Sequence, residues 1–439
     1  MGIRDSYFFM WHENLNLIMG IVVVYGFNLT FWGTVGIIRA LAGVIRGRWV
    51  KEVSIIPLPQ GGKPGGISIS EVASITPAHN EEAVIAQTIE PLLEILPKEQ
   101  IFVISDGSKD KTAEIAKSYG VNVVEFLAGH GKAGALEKGI THFQLTKRFR
   151  AILFVDADTW IPKNFLERAL PHFDNFKIAA VAGYARTAWE PKKNNFWNMF
   201  FIAHRERVYT IIQLFFKFGQ TSRWLNVASI IPGFASIYRT DVLEKIDVNP
   251  PGLVIEDYNM TFEVHHKKLG LIAHHPSISA YTQDPNTFKD YFRQVKRWNL
   301  GFWQTIRRHG IWASVFWVAL LVYIAEVFVS SIIFILLPLV ILLHVLVAVF
   351  PEVLSVHFVS SIATYTRLQL PWEVIFWAIL IPDYSLSLFT AFVQGRPHYL
   401  WYGLGFPFMR FFDALSFVYT LPKGLFTISS GRWISPKRR

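Results

Sequence analysis

The chain alternates between long apolar stretches and a central region of mixed polarity, and this alternation predicts its main segments. Residues 15–38 are apolar or neutral apart from Asn16 and Asn28, and the later apolar stretches are 311–350, 372–393 and 404–421. A helix rises about 1.5 Å per residue, so twenty-odd residues reach roughly 30 Å, enough to cross a bilayer. The pattern predicts one membrane-spanning helix near the amino terminus and four crossings in the carboxyl-terminal part. Two of these four lie in the first apolar stretch, on either side of a break near Pro338.

The region between the apolar stretches has the polarity of an ordinary globular domain, although 51% of the 439 residues are hydrophobic. We therefore expect a soluble domain that is held between membrane segments. The predicted organisation is a transmembrane helix at 1–45, a cytoplasmic domain with interfacial helices at 46–310, a transmembrane bundle at 311–430 and a basic cytoplasmic tail at 431–439.

The net charge of +10 is concentrated near the ends of the predicted spans. Only Arg4 precedes the first span, whereas the residues that follow it include Arg39, Arg46, Arg48 and Lys51. Cytoplasmic flanks carry an excess of lysine and arginine, so we expect the domain on the cytoplasmic side of a multi-pass cell-membrane protein in contact with lipid. No nucleic-acid-binding motif accompanies the charge, so a nucleic-acid partner is not expected. The absence of cysteine excludes disulfides and thiolate chemistry.

The central region contains four short runs rich in Val, Ile and Phe, at 72–76, 101–105, 122–125 and 152–156. Helix-like stretches separate these runs, at 81–95, 110–119 and 133–143. Strands and helices that alternate at this spacing predict an α/β fold with a parallel sheet. The carboxyl ends of parallel strands share one edge, where ligands bind in open α/β sheets. Three polar loops meet at that edge and predict a nucleotide pocket.

Two carboxylates, Asp156 and Asp158, end the last of these apolar runs. Two acids one residue apart at such an edge can hold a divalent cation that neutralises a diphosphate. The alternative is a solvated turn, in which Asp-x-Asp is common.

A glycine-rich segment, residues 129–134, places Lys132 at the start of a predicted helix. A helix amino terminus with a lysine suits a phosphate, although a plain glycine turn has a similar sequence. Neither a P-loop nor Gly-x-Gly-x-x-Gly follows the first strand, which argues against P-loop NTPases and dinucleotide-dependent oxidoreductases.

Two stretches, 195–218 and 288–306, interleave aromatic and basic residues. Such a pattern is typical of helices that lie in the membrane interface, with packing in the domain core as the alternative. Glu326 lies inside an apolar stretch. An acid there faces the interior of a bundle or a watery path, or it reaches the membrane surface.

Seven motifs between residues 72 and 303 together resemble those of the membrane-integrated family 2 glycosyltransferases. They are Pro77-Ala-His-Asn-Glu-Glu82, Ser105-Asp-Gly-Ser108, Gly131-Lys-Ala-Gly-Ala-Leu136, Asp156-Ala-Asp158, Ile231-Pro-Gly-Phe234, Glu256-Asp257 and Gln294-Val-Lys-Arg-Trp298. Each motif is weak alone, but seven in this order between membrane spans form a strong signal. The resemblance is greatest to processive synthases of β-linked polysaccharides such as cellulose, chitin, hyaluronan and poly-N-acetylglucosamine. It implies an α/β GT-A (Rossmann-like) fold.

The resemblance also implies roles for individual residues. Donor-binding roles fall on Glu81, Asp106, Lys132 and Asp156. A metal ion, Mg²⁺ or Mn²⁺, would be held by Asp158 with Asp156. The catalytic pair would be Asp257, as the general base, with Glu256 beside it. Residues for the acceptor and the diphosphate would be Gly233, Gln294, Arg297 and Trp298.

The implied reaction is an inverting, metal-dependent hexosyl transfer from a UDP-sugar to an acceptor hydroxyl. Because one base and no carboxylate nucleophile is present, direct displacement would convert an α-linked donor into a β-linked product. The growing polysaccharide would be passed through the membrane spans of the protein itself. The alternative is non-processive transfer of one sugar to a lipid acceptor, and a catalytically inactive transport or scaffold protein is a third hypothesis. Neither the sugar nor the oligomeric state follows from the sequence.

Two positions depart from the family pattern. Ser105 stands where an acid is usual, which weakens the inference that Asp106 reads uridine. Ile255 replaces a threonine or serine before Glu256-Asp257, which can shift the preference for acceptor or linkage.

Overall fold

A computed structural model of the chain describes residues 3–45, 66–192 and 194–427. It contains two compact units, Met1–Phe31 with Leu321–Tyr419, and Trp32–Leu320 with Thr420–Arg439. The predictions made for Arg46, Arg48 and Lys51 and for the basic tail lie outside the described residues.

The second unit is built on one eight-stranded sheet in the order β3-β2-β1-β4-β7-β6-β8-β5. Its strands are β1 (Val72–Ala78), β2 (Ile101–Asp106), β3 (Asn122–Phe126), β4 (Ala151–Val155), β5 (Thr159–Trp160), β6 (Ile178–Thr187), β7 (Ala235–Arg239) and β8 (Leu271–Thr282). Every residue of β1, β2 and β4 is buried, as expected for apolar strands that are covered on both faces. The predicted α/β GT-A (Rossmann-like) class is confirmed.

The two halves of the sheet differ in strand direction. Strands β1 to β4 pair in parallel, which confirms the four predicted strands. Strand β7 runs antiparallel to both β4 and β6, β5 runs antiparallel to β8, and β6 pairs with β8 in parallel, so beyond the four predicted strands the sheet is mixed. Strands β5 to β8 were not predicted, because they do not alternate with helices at a regular spacing.

The helices of the second unit cover the sheet and follow it. They are α2 (Ile85–Leu93), α3 (Thr112–Ser118), α4 (Gly131–His142), α5 (Phe196–Ile211), α6 (Glu256–His266) and α7 (Phe288–His309). Short helical turns occur at Leu145–Arg148, Phe165–Ala169, Phe218–Gln220 and Thr240–Leu243. Alternate residues of the central strands supply two separate cores. Ile101 and Val103 pack on the face covered by α2, and Phe102 and Ile104 pack on the face covered by α4.

The apolar stretches form long helices. They are α1 (Ile3–Ile45), α8 (Val315–Val349), α9 (His357–Gln369), α10 (Ile381–Gln394) and α11 (Phe406–Phe426), with a π-helical segment, Val374–Leu380, leading into α10. Within the described part of the chain, three helical segments are long and apolar enough to cross a membrane, at Leu15–Ala42, Val315–Val349 and Val374–Gln394. The predicted stretch 404–421 is helical but is not among these three.

The expected break near Pro338 was wrong, because α8 continues through this proline as one helix. Proline is tolerated in membrane-type helices when neighbouring groups satisfy the freed carbonyl. The stretch therefore supplies one candidate crossing instead of the predicted two.

Glu326 lies inside the first unit. Its Oε2 accepts hydrogen bonds from the backbone amide and the side-chain amide of Asn28, each at 2.9 Å. Asn28 follows Gly26, where α1 departs from helical geometry with φ of 67°. Glu326 is half-buried and faces Asn28 of α1, as an acid that points toward the interior of a helix bundle does.

The aromatic and basic stretch 195–218 is buried over its charged part. The side chains of His204, Arg205, Glu206 and Arg207 are inside the second unit, whereas Phe196 and Trp197 at the start of α5 are exposed. For the charged residues at 204–207, packing inside the domain is therefore observed, which was the alternative to a helix in the membrane interface. Helix α5 continues as a π-helical segment, Ile212–Lys217.

Candidate active site

The carboxyl edge of the parallel strands brings Asp156 and Asp158 to the end of β4. Asp156 accepts a hydrogen bond from the Thr159 amide at 3.0 Å, which closes a tight turn, and both acid side chains are half-buried. Burial raises the pKa of Asp156, and the nearby Asp158 raises it further, although Lys132 opposes both effects. The turn thus holds two acids that repel each other, an arrangement that attracts a cation.

Lys132 lies in the first turn of α4, as predicted, and bridges two elements of the site. Its Nζ is 2.8 Å from Asp156 Oδ1 and 2.8 Å from Glu256 Oε1. Burial disfavours the ammonium, but Asp156, Glu256 and Asp257 outweigh it and hold the pKa of Lys132 well above its usual value. Helix α6 begins at Glu256, so the acids of the Glu256-Asp257 motif stand at a helix amino terminus.

Asp257 is held by the loop that precedes β7. Its Oδ2 accepts a hydrogen bond from the Gly233 amide at 2.9 Å, and its Oδ1 is buried without a hydrogen bond to any described residue. Burial raises the pKa of Asp257 to about 8, with Glu256 adding to the shift and Lys132 opposing it. Burial also acts on Glu256, but Lys132 reverses the effect and lowers its pKa. The pKa values of these two adjacent acids are therefore shifted in opposite directions.

Gly233 must be glycine for a steric reason. A Cβ at this position would lie 2.5 Å from Asp257 Oδ1 and 3.0 Å from Lys132 Nζ. A second link fixes the same loop, because Thr261 Oγ1 accepts from the Ile231 amide at 2.8 Å and donates to the Asp257 carbonyl at 2.7 Å. The loop and α6 are thus joined on both sides of the carboxylate.

Asp106, at the end of β2, holds the loop before α4. Its Oδ2 accepts from the backbone amides of His130 and Gly131 at 2.7 and 2.9 Å, and its Oδ1 lies 2.9 Å from the His130 ring. The side chain is 1% exposed. In this arrangement Asp106 positions the turn that carries Lys132. Glu81, at the end of the neighbouring β1, is also buried.

The third group of predicted residues lies on α7. The Gln294 carboxamide oxygen accepts a hydrogen bond from Arg205, and the Arg205 guanidinium lies 4.1 Å from the centre of the Trp298 ring. Arg297 is half-buried on the same helix. The structure therefore links Gln294 and Trp298 through Arg205, a residue to which the sequence analysis gave no role in the site.

Two further residues near the site were not found from the sequence. Lys217 is buried, which lowers its pKa to about 8 against the opposing charge of Asp257. Asp284 accepts from Thr187 Oγ1 at 2.6 Å, and burial raises its pKa to about 7 although Arg205 and Thr187 oppose the shift.

One signal in the sequence was available for Arg205. Four successive polar residues cover every side of a helix, so some of those at 204–207 have to face the interior.

Comparison with known proteins agrees with the motifs. The profile described as Glycosyl transferase family 2 matches residues 74–247. A probable glycosyltransferase, YdaM of Bacillus subtilis, is 28% identical over 247 residues, which cover 53% of this chain and 55% of that protein. The poly-beta-1,6-N-acetyl-D-glucosamine synthase of Staphylococcus epidermidis is 22% identical over 253 residues, or 54% of this chain and 58% of that protein.

A shorter match is to the 4,4'-diaponeurosporenoate glycosyltransferase of Staphylococcus aureus, at 35% identity over 105 residues, or 23% of this chain and 27% of that protein. The chain spans little more than half the length of the first two relatives and less of the third. The resemblance drawn from the seven motifs is confirmed for residues 74–247, the part of the chain that the family profile matches. Residues 74–247 are therefore similar in sequence to the glycosyl transferase family 2 domain.

Proposed function

We propose that this protein transfers a hexose or N-acetylhexosamine from a UDP-sugar to an acceptor hydroxyl, with inversion at the anomeric carbon. One observation carries the proposal. The carboxylate of Asp257, held by the Gly233 amide, lies in the same cluster as Lys132, which bridges Glu256 and Asp156 at the carboxyl edge of the sheet. A base and the groups for a diphosphate are thereby gathered around one ammonium.

Asp257 acts as the general base in this proposal. The acceptor oxygen attacks the anomeric carbon while its proton passes to Asp257, and the bond from that carbon to the diphosphate oxygen breaks on the opposite side. UDP leaves with the electron pair. The pKa of about 8 places Asp257 near the pH at which it works, which favours proton transfer in the transition state.

The leaving diphosphate needs positive charge, and the cluster has more acids than bases. Lys132 faces Asp156, Glu256 and Asp257, and Asp158 is close by. In the described part of the chain, no three His, Cys, Asp or Glu side chains form a metal site. Mg²⁺ in nucleotide sites is commonly held by one or two carboxylates and completed by phosphate oxygens, so Asp156 and Asp158 fit such an ion. Mg²⁺ or Mn²⁺ held there would neutralise the diphosphate, and Arg297 is the proposed second cation.

The remaining residues are assigned to the two substrates. Glu81 and Asp106 stand at the ends of adjacent strands and are proposed to lie on the uridine side, with Asp106 also fixing the Lys132 turn. Gln294 and Trp298 are proposed to bind the acceptor. An indole ring offers an apolar face to a sugar, and an amide offers a hydrogen-bond donor.

The preferred acceptor is a growing β-linked polysaccharide that the protein extends processively and passes across the cell membrane, with the catalytic domain in the cytoplasm. This proposal is supported by the similarity to a poly-beta-1,6-N-acetyl-D-glucosamine synthase and by three candidate spans in the described chain. The alternative is a single transfer to a lipid acceptor. It is favoured by the number of candidate spans, which is lower than predicted, and by the match to an enzyme named for 4,4'-diaponeurosporenoate.

The test is a donor screen with the purified, detergent-solubilised protein, in which the release of UDP is measured. We expect one UDP-hexose or UDP-N-acetylhexosamine to be turned over, EDTA to abolish the activity and Mn²⁺ or Mg²⁺ to restore it. Mass spectrometry of the products then separates the two acceptors, since a polymer ladder supports processive synthesis and a single sugar on a lipid supports the alternative. If no UDP-sugar is turned over in the presence of metal and membrane lipid, the proposal is wrong.

A further inference from the structure

Arg205 is a cation buried among aromatic rings. The side chain is 2% exposed. Its guanidinium carbon lies 4.1 Å from the centre of the Trp298 ring, 5.1 Å from that of Tyr291 and 5.3 Å from that of Tyr209. Such distances are those of cation–π contacts, which are strongest when the cation is removed from water.

The charge of Arg205 is not matched by an ion pair with any described residue. Its Nη2 donates to Gln294 Oε1, and its Nε is buried without a hydrogen bond within the described chain. The charge of Arg205 acts to lower the pKa of Asp284, which burial raises, and the Asp284 carboxylate accepts a hydrogen bond from Thr187. Burying a charge without a direct counter-charge is costly, so the aromatic rings and the carboxamide have to compensate. A surface lysine or a neutral residue would avoid this cost, which indicates that the guanidinium has a specific task.

Only arginine can make these contacts together. A guanidinium is planar, so it can stack on an indole and at the same time donate in its own plane to an amide oxygen. Gln294 and Trp298 are four residues apart on α7, and such residues face the same side of a helix. One side chain from α5 therefore reaches both motif residues.

The hydrogen bond fixes the orientation of the Gln294 amide. Because Arg205 is a donor only, the carboxamide must turn its oxygen toward Arg205 and its NH₂ group away. No described residue accepts a hydrogen bond from that NH₂ group. The group is therefore available to a ligand oxygen. The guanidinium lies over the Trp298 ring, and the centre of the Tyr209 ring is 6.1 Å from the centre of the same indole, so the ring is held by neighbours from α5.

We propose that Arg205 is a positioning residue of the acceptor site, which selects the amide orientation of Gln294 and holds the Trp298 ring. This inference rests on the proposed function, because it takes Gln294 and Trp298 as the acceptor-binding residues. The ligand class it specifies is a neutral sugar. Its hydroxyl oxygen accepts from Gln294 and its ring packs on Trp298, and no charge of Arg205 is used to bind it.

The test uses the full-length protein with the UDP-sugar that the wild type turns over fastest and a tetrasaccharide of the same sugar as acceptor. We expect Arg205→Lys to raise the KM for the tetrasaccharide at least tenfold. The KM for the donor and the rate of donor hydrolysis without acceptor should stay within about twofold of wild type. The control is Arg293→Gln, which removes an exposed charge, 66% accessible, one position before Gln294 and should leave all three values unchanged.

A double-mutant cycle with Trp298→Phe separates a positioning role from an independent one. If Arg205 acts through Trp298, the double variant should lose no more than the worse single variant, because residues that act as a unit are not additive. If the losses of the two single variants multiply in the double variant, the proposal is overturned. So would an equal fall in donor hydrolysis and transfer, which would place Arg205 at the donor or in the stability of the fold.

Tyr291→Leu is the second variant, for use if Arg205→Lys does not fold. It removes one aromatic face and keeps the guanidinium, and a several-fold rise in the acceptor KM is expected; an unchanged KM would contradict the inference. The two proposals fail differently. A wild type that releases no UDP overturns the proposed function, whereas an active wild type with an unaffected Arg205→Lys variant overturns only this inference.

Discussion

Two cations of the domain, the half-buried Lys132 and the buried Arg205, are held in opposite ways. Lys132 lies 2.8 Å from each of two carboxylates, with Asp257 close enough to raise its pKa further. Arg205 makes no ion pair with a described residue and is held by ring faces and one carboxamide. The electrostatic energy of a cation beside carboxylates changes strongly when a proton or a phosphate binds nearby. The energy of a cation packed against aromatic rings changes little. The first arrangement suits chemistry and the second suits positioning.

The sharpest test of this contrast is the removal of the proposed base, Asp257. Asp257→Asn preserves the shape of the side chain and the hydrogen bond from Gly233 but cannot accept a proton. We expect kcat for sugar transfer to fall by about 10²–10⁴-fold, the range for a general base. Steady-state release of UDP in the presence of acceptor measures it, with the exposed Asp241→Asn as a matched control. Retention of full activity would show that another group takes the proton.

The next largest expected effect is the change of the transfer rate with pH. The pKa of Asp257 is raised to about 8, and the active form of a base is the deprotonated one. The transfer rate should therefore rise about tenfold per pH unit below 8 and level off above it. Measuring kcat/KM for the donor between pH 6 and 9.5 reports this group in the free enzyme. A rate that is flat from pH 6 to 8 would contradict the role given to Asp257.

A smaller loss of activity is expected from Gly233→Ala, which adds a methyl group beside Asp257. In Gly233→Ala the new Cβ would meet Asp257 Oδ1 at 2.5 Å, so the carboxylate has to move. Overpacking of this kind costs about 1–3 kcal/mol, and we expect about a tenfold loss of kcat and a lower Tm. Gly129→Ala is the matched control, because its Cβ would come no closer than 3.8 Å to its neighbours. Equal behaviour of the two variants would show that the loop does not constrain the base.

The smallest effect is expected at the aromatic site. Asp284→Asn removes the acid whose pKa is raised by burial and lowered in part by the charge of Arg205. It retains a side-chain oxygen that can accept the hydrogen bond from Thr187. If Arg205 works through shape and hydrogen bonding, kcat/KM should stay within about threefold of wild type. A loss of more than about thirtyfold would show that the charge of this pair takes part in the reaction, and the contrast between the two cations would fail.

The sequence was most informative where chemistry is local. The apolar run before Asp156 and Asp158 predicted a buried strand and the glycine-rich segment with Lys132 suited a helix start, and the structure shows both. Pattern failed where distant segments decide the outcome. The antiparallel strand β7 lies between β4 and β6, although it comes some 80 residues after β4. The expected break at Pro338 was wrong, because the tolerance of a helix for proline depends on its surroundings.

The sequence by itself determined the four parallel strands and the similarity of residues 74–247 to family 2 glycosyltransferases, because each is written in short motifs with local physical meaning. Only the tertiary structure decided that the pKa of Asp257 is raised while that of Glu256 is lowered, that Asp106 holds the Lys132 turn, and that Arg205 joins Gln294 to Trp298. The reason is that pKa values and amide orientations depend on burial and on partners far away in the chain, which a single sequence does not bring together.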